Sequence, residues 1–116
     1  MKYIVILSFL FAYFTSIAQT ISPQEAKDYV DKKATVCGLV IDTYFSEKDN
    51  TTFLNFGANY PNHVFTVVIF EDDVNKFPEL PNEYYKNRNI CVTGTIEMFK
   101  EKPEIVVYDP SQISMQ

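Results

Sequence analysis

The sequence has no tryptophan, one histidine, two cysteines and only three glycines, at positions 38, 57 and 94. Three scattered glycines leave no Gly-rich loop to cradle a phosphate. Two cysteines and one histidine, without CxxC or HxxxH spacing, fall short of the four ligands that a structural zinc needs. His63 has no Ser or Cys nearby to form a nucleophilic triad and reads as a satisfied or exposed loop residue. Basic residues are scarce too: 10 Lys and Arg against 15 Asp and Glu give a formal charge of −5. A general duplex-DNA or anionic-membrane binder would carry a basic surface instead. The catalytic inventory is nearly empty, so the sequence points away from an enzyme and calls for no cofactor or metal.

What is present is a core. In 116 residues, 47% are hydrophobic and 16% aromatic, which suits one small globular domain and excludes a disordered tail. The first residues are set apart from it. Lys2 supplies a short positive region, Ile4 to Phe14 an eleven-residue apolar run, and Thr15-Ser16-Ile17-Ala18 a small-x-small cleavage pattern. That run is shorter than the roughly 20 residues that span a bilayer, so it reads as a secretory signal peptide over residues 1–18. No Cys follows the run, so a lipid anchor is not expected. The mature domain, 19–116, is expected to be periplasmic or secreted, without stable membrane insertion.

Export puts Cys37 and Cys91 where a disulfide persists. Both sit in β-branched, alternating segments. If those strands pair, a bridge closing about fifty residues adds roughly 4 kcal/mol through the unfolded state. Otherwise the two are separate buried thiols acting as small hydrophobes.

Along the mature chain, Ser22-Pro23-Gln24-Glu25 carries a capping box with Pro at the first helical position, predicting an N-terminal helix over Ser22 to Lys32. Strands are predicted at Ala34 to Phe45, with a bulge or bend at Gly38, then at Thr51 to Phe56 and Val64 to Phe70. Glu71-Asp72-Asp73 reads as the acidic first turn of a short helix rather than a metal site. Pro78 and Pro81 break that helix. Two more strands follow, Asn89 to Phe99 and Glu104 to Tyr108, joined by a tight turn through Lys100-Glu101-Lys102.

Three strands, a short helix, then a closing hairpin is the order of a mainly β, five-stranded OB-fold Greek-key barrel. In that barrel the first and fourth strands are neighbours, as a Cys37 to Cys91 bridge requires. The strings ISPQEA from Ile21, VCG from Val36, TFLNFG from Thr52, YPN from Tyr60, FTVVI from Phe65, CVTG from Cys91 and PEIVV from Pro103 resemble small bacterial exported OB-fold proteins usually described as nucleic-acid-binding or DNA-binding. The resemblance covers nearly the whole mature chain. Its motifs are mainly packing and turn signals, so it implies a fold more firmly than an activity. The chain departs from the pattern at Tyr85-Lys86-Asn87-Arg88, where Gly and Lys are expected in the turn; Asn87 tolerates the left-handed conformation in their place.

Alternation points Leu54, Phe56, Phe65, Val67 and Ile69 inward and Phe53, Asn55, Thr66, Val68 and Phe70 outward. The outer face of the second and third strands is where OB-folds bind oligonucleotides and oligosaccharides. The candidate site is therefore Phe53, Asn55, Thr66 and Phe70, with Phe53 and Phe70 as stacking surfaces and Lys48, Lys100 and Lys102 as phosphate partners in the flanking loops. The competing reading covers these aromatics with the N-terminal helix or the 78–88 loop. Two classes of partner follow: single-stranded DNA or RNA, or another exported protein or small ligand suited to the acidic charge. Intact mass of exported protein should show a chain starting at Gln19 that gains two hydrogens on reduction. Two free thiols in the folded, air-oxidised protein would remove the bridge.

Overall fold

The computed structural model describes residues 18–116; the expected leader, apart from Ala18, lies outside the described residues. β1 (Gln19–Ile21) starts at the first residue after the expected cleavage point. β2 (Lys33–Ser46) is long enough to serve two ladders. Its first half, Lys33 to Leu39, pairs antiparallel with β5 (Asn89–Phe99), and its second half, from Val40, pairs antiparallel with β3 (Thr51–Phe56). The register shifts between Val40 and Asp42, so an extra residue bends the strand there. The sequence places this bend at Gly38. The structure moves it to Ile41 and gives Gly38 another role: a Cβ there would lie 2.6 Å from Pro23 Cγ.

β3 pairs antiparallel with β4 (Phe65–Ile69), β4 parallel with β6 (Lys102–Val106), and β6 antiparallel with β5. The β2–β5 ladder returns the order to its start. The fold is mainly β and OB-like, but the described residues form seven strands and not a clean five-stranded barrel. β1 runs parallel to the first half of β2, and β7 (Ile113–Met115) antiparallel to the start of β5. Three-residue strands carry too little period-two pattern to be read from sequence; they form because a neighbouring edge offers unpaired backbone groups.

The expected N-terminal helix is also corrected. It is a 3-10 turn over Pro23–Asp28, although the Ser22–Glu25 capping box forms. Asp31 takes a left-handed φ of 67° and donates its N–H to the Ile96 carbonyl, while Lys32 accepts from Ile96 N–H. The chain is thus claimed by β5 after six residues of 3-10 helix. Between β4 and β5 one short helix becomes two, α1 (Glu71–Val74) and α2 (Pro81–Tyr84), with Pro81 starting the second. Asn87 does adopt the left-handed conformation, with φ 61°.

Leu54, Phe56, Phe65, Val67 and Ile69 are all fully buried, as alternation predicts, against Val36, Val40, Ile90, Val92, Ile96 and Ile105. Cys37 and Cys91 sit directly opposite each other in the β2–β5 ladder, with Cα atoms 4.0 Å apart, and form the disulfide. The bridge closes 54 positions of sequence. Replacing both cysteines with Ala should lower the unfolding free energy by roughly 4 kcal/mol in a denaturant titration. A loss under about 1 kcal/mol would mean that the β2–β5 ladder already restricts the unfolded chain without the bridge.

Candidate binding groove

The outer face of β3 and β4 is the floor of a groove of about 660 Å³. Register explains its layout, because residues opposite each other across neighbouring strands share a face. One row crosses the sheet as Asp42, Asn55, Thr66, Glu104 and Glu97, from β2 through β3, β4 and β6 to β5. The adjacent row is Tyr44, Phe53, Val68 and Val106. The first row is polar and the second apolar.

Aromatic rings stand along the groove. Tyr44 and Phe53 stack at 6.2 Å between centroids; Tyr60 stacks on His63 at 5.6 Å. Phe99, at the end of β5, lines the groove from the hairpin side. Tyr44, Tyr60 and Phe99 are more than half exposed. Phe53 is half-buried beside them, with neither the Pro23–Asp28 turn nor the 78–88 segment among the groove's lining.

Of the residues singled out from sequence, Phe53, Asn55, Thr66, Lys100 and Lys102 come together here. Phe70 does not: it is exposed, but it precedes α1 beyond the end of β4 and does not line the groove. Lys48 likewise lies in the β2–β3 turn, away from the lining. Lys100 and Glu101 are the central pair of the two-residue turn between Phe99 and Lys102, and both have positive φ, 48° and 66°. This is the mirror-image turn geometry that fits the twist of a hairpin, though Asn and Gly fill it more readily. It lifts the Lys100 ammonium 5.4 Å from the Phe99 ring. Lys102 is held lower, donating from Nζ to the His63 carbonyl at 2.6 Å.

Sequence reasoning missed Asp42, Tyr44, Tyr60, His63, Phe99 and Glu104. Asp42 and Tyr44 were legible in principle, since two positions apart on β2 they face Asn55 and Phe53. Asp42 anchors the loop that carries Tyr60, accepting its backbone N–H at 3.0 Å and the Asn55 amide at 3.4 Å. His63 is neither satisfied nor exposed. It is buried and its Nδ1 has no hydrogen-bond partner among the described residues. Burial lowers its pKa from 6.5, Lys102 pushes the same way, and Asp42 opposes them. The ring is therefore neutral at pH 7. With His63 neutral, Asp42 and Glu104 balance Lys100 and Lys102, so an acidic chain carries an uncharged groove. Among the described residues no group of three or more His, Cys, Asp or Glu is placed to hold a metal ion. Glu71, Asp72 and Asp73 form the first turn of α1, and Asp73 pairs with Lys76 at 2.8 Å.

The sequence matches no protein-family model and no curated protein. Solved structures share the fold at low identity. An asparaginyl-tRNA synthetase from Pyrococcus horikoshii aligns over 85% of this chain and 23% of its own, at 16% identity and a TM-score of 0.56. An aspartyl-tRNA synthetase from Leishmania major aligns over 91% and 22%, at 14% identity and 0.52. The yeast Stn1 and Ten1 structure aligns over 90% and 65%, at 12% identity and 0.54. The chain thus spans about a quarter of each synthetase and under two thirds of the third. At these identities the likeness is one of fold.

Glu104 is 8% exposed, and burial raises its pKa from 4.5, with Glu97 adding repulsion. The folded protein holds this proton more tightly than the unfolded chain. The ionised carboxylate therefore costs stability above the raised pKa, and the cost fades as pH falls towards 4.5. Glu104→Gln should melt higher than wild type at pH 7, with the gap closing as the buffer is acidified. A pH-independent difference would show that ionisation of Glu104 is not its cause.

Proposed function

We propose that the protein is an exported, non-catalytic OB-type module that binds single-stranded nucleic acid along the β3–β4 groove. The observation that carries this reading is the union of four aromatic rings, Tyr44, Phe53, Tyr60 and Phe99, with Lys100 and Lys102 on one open face. Base stacking on such rings tolerates any sequence, and lysines beside them neutralise the backbone. The face is the one OB-folds use for oligonucleotides. Two of the solved structures that share the fold are tRNA synthetases by name, which agrees with an RNA or DNA ligand. The disulfide supports export, since such bonds persist in oxidising compartments. Among the described residues no helix is long and apolar enough to cross a membrane.

The overall charge of −5 favours a second reading, a protein or small ligand held by the same aromatics. Salt separates the two. Nucleic acid released by Lys100 and Lys102 should show falling affinity with rising salt, whereas an apolar protein contact should not.

A fluorescence titration with short single-stranded DNA and RNA at two salt concentrations tests the proposal. Phe53→Ala should weaken binding by roughly 1 to 3 kcal/mol at either concentration. Lys100→Ala should lower the salt slope by about one, since among the described residues its ammonium sits over the Phe99 ring with no carboxylate partner. Binding that ignores both changes, or no binding at all, would overturn the nucleic-acid reading.

A further inference from the structure

The polar row across the groove floor has a direction. Thr66 has one hydroxyl proton, and its Oγ1 lies 2.7 Å from Asn55 Oδ1 and 3.2 Å from the Leu54 carbonyl, both acceptors on β3. Asn55 in turn donates from Nδ2 to Asp42. The hydrogen bonds along the row all run towards β2. Glu104 is the row's far member, and it receives nothing from Thr66, its partner in the β4–β6 register. Among the described residues its carboxylate has no hydrogen bond or ion pair; the residue as a whole is 8% exposed and lines the groove, and its oxygens keep access to the groove's solvent. Its other cross-strand partner, Glu97, is a second carboxylate and supplies no donor either.

A carboxylate set into a groove floor without an intramolecular partner is partly desolvated yet open to a ligand that brings donors. The missing partner must bring hydrogen-bond donors. It must also be flat, because Phe99 stands on the same face of β5 as Glu97, one diagonal step from Glu104, and rings of that reach meet diagonal neighbours. A carboxylate offers two parallel acceptors, so its best match is a planar edge with two adjacent donors. Among nucleobases that edge belongs to guanine, with N1–H beside the N2 amino group. Cytosine and adenine offer one amino group beside an acceptor. Thymine and uracil offer a single N3–H between two carbonyls that repel the carboxylate.

Resting on the nucleic-acid reading of this groove, we infer that Glu104 makes it a guanine reader: the carboxylate accepts from N1–H and the N2 amino group of one base stacked beside Phe99, and disfavours thymine and uracil. The Watson–Crick edge of a base is open to such contact only in a single strand. The groove's aromatics then supply sequence-tolerant affinity, and Glu104 supplies the choice at one position.

Anisotropy titrations with oligomers of roughly nine nucleotides, within one OB-fold's site size, test this. One oligomer is all thymidine and the other carries a single central dG. The dG oligomer should bind roughly tenfold tighter, in the range that one bidentate base contact provides. Replacing dG by deoxyinosine, which lacks the N2 amino group, should remove most of that gain without touching the protein. In Glu104→Gln, where one acceptor becomes a donor, the ratio between the two oligomers should collapse towards one. Equal affinity of wild type for both, or a preference that persists in Glu104→Gln, overturns the inference and leaves the proposed function standing. Failure of every oligomer to bind overturns both.

Discussion

The bend in β2 is the constraint from which the rest of the molecule follows. A straight strand of that length could carry β5 and β3 on its two edges in an open sheet, but it would not bring the far end of the sheet back to β2. The extra residue at Ile41 turns the strand so that Lys33 to Leu39 face β5 and Val40 to Ser46 face β3. Without that turn the ladder β2–β3–β4–β6–β5 would have two long open edges, and exposed edges invite association with other chains. The Cys37–Cys91 bond fastens the β5 side of the bend, and the Val40 backbone, bonded to Asn87 and Arg88 at 2.9 and 3.0 Å, fastens the loop leading into β5. The groove depends on the other half, since only the bent segment carries Asp42 and Tyr44 onto the face shared with Asn55 and Phe53.

That face is chemically divided along its strands. Buried Val68 and half-buried Val106 beside Phe53 give an apolar band that stabilises the sheet as any covered hydrophobic surface does. The parallel polar band does not repeat this gain. Its hydrogen bonds run in one direction and end short of Glu104, so the fold tolerates a local cost next to a local benefit. Such local conflict with the packing rules is where sites are expected in a domain that otherwise obeys them.

Much of this was legible in the sequence where a pattern had enough length to repeat. Thr51 to Phe56 and Asn89 to Phe99 coincide with β3 and β5 because runs of six or more residues rich in β-branched and aromatic side chains carry enough strand signal. The inward set from Leu54 to Ile69 followed from period-two alternation. The three-residue strands β1 and β7 had no such repeat, and the capping box at Ser22 announced a helix that competition from β5 cut to a 3-10 turn. For the groove, alternation placed Phe53, Asn55 and Thr66 correctly on its floor. Phe70 went elsewhere because the strand ends at Ile69 and α1 redirects the chain, a change of period that alternation cannot foresee. His63 and Glu104 escaped because each becomes unusual only when distant segments bury it, and their hydrogen-bond deficits exist in three dimensions alone.

The Lys100–Glu101 turn sets the interests of the fold against those of the groove. Each of these two side chains pays a steric cost for left-handed backbone, roughly 1 to 2 kcal/mol per residue, that an Asn-Gly pair would largely escape. The relaxed turn would hold the same strands in the same register and give a tighter hairpin. It would also strip the cation from the rim beside Phe99. At this one corner the backbone that best relaxes the hairpin and the side chain that best keeps a cation on the groove's rim are different residues, and the one present keeps the cation.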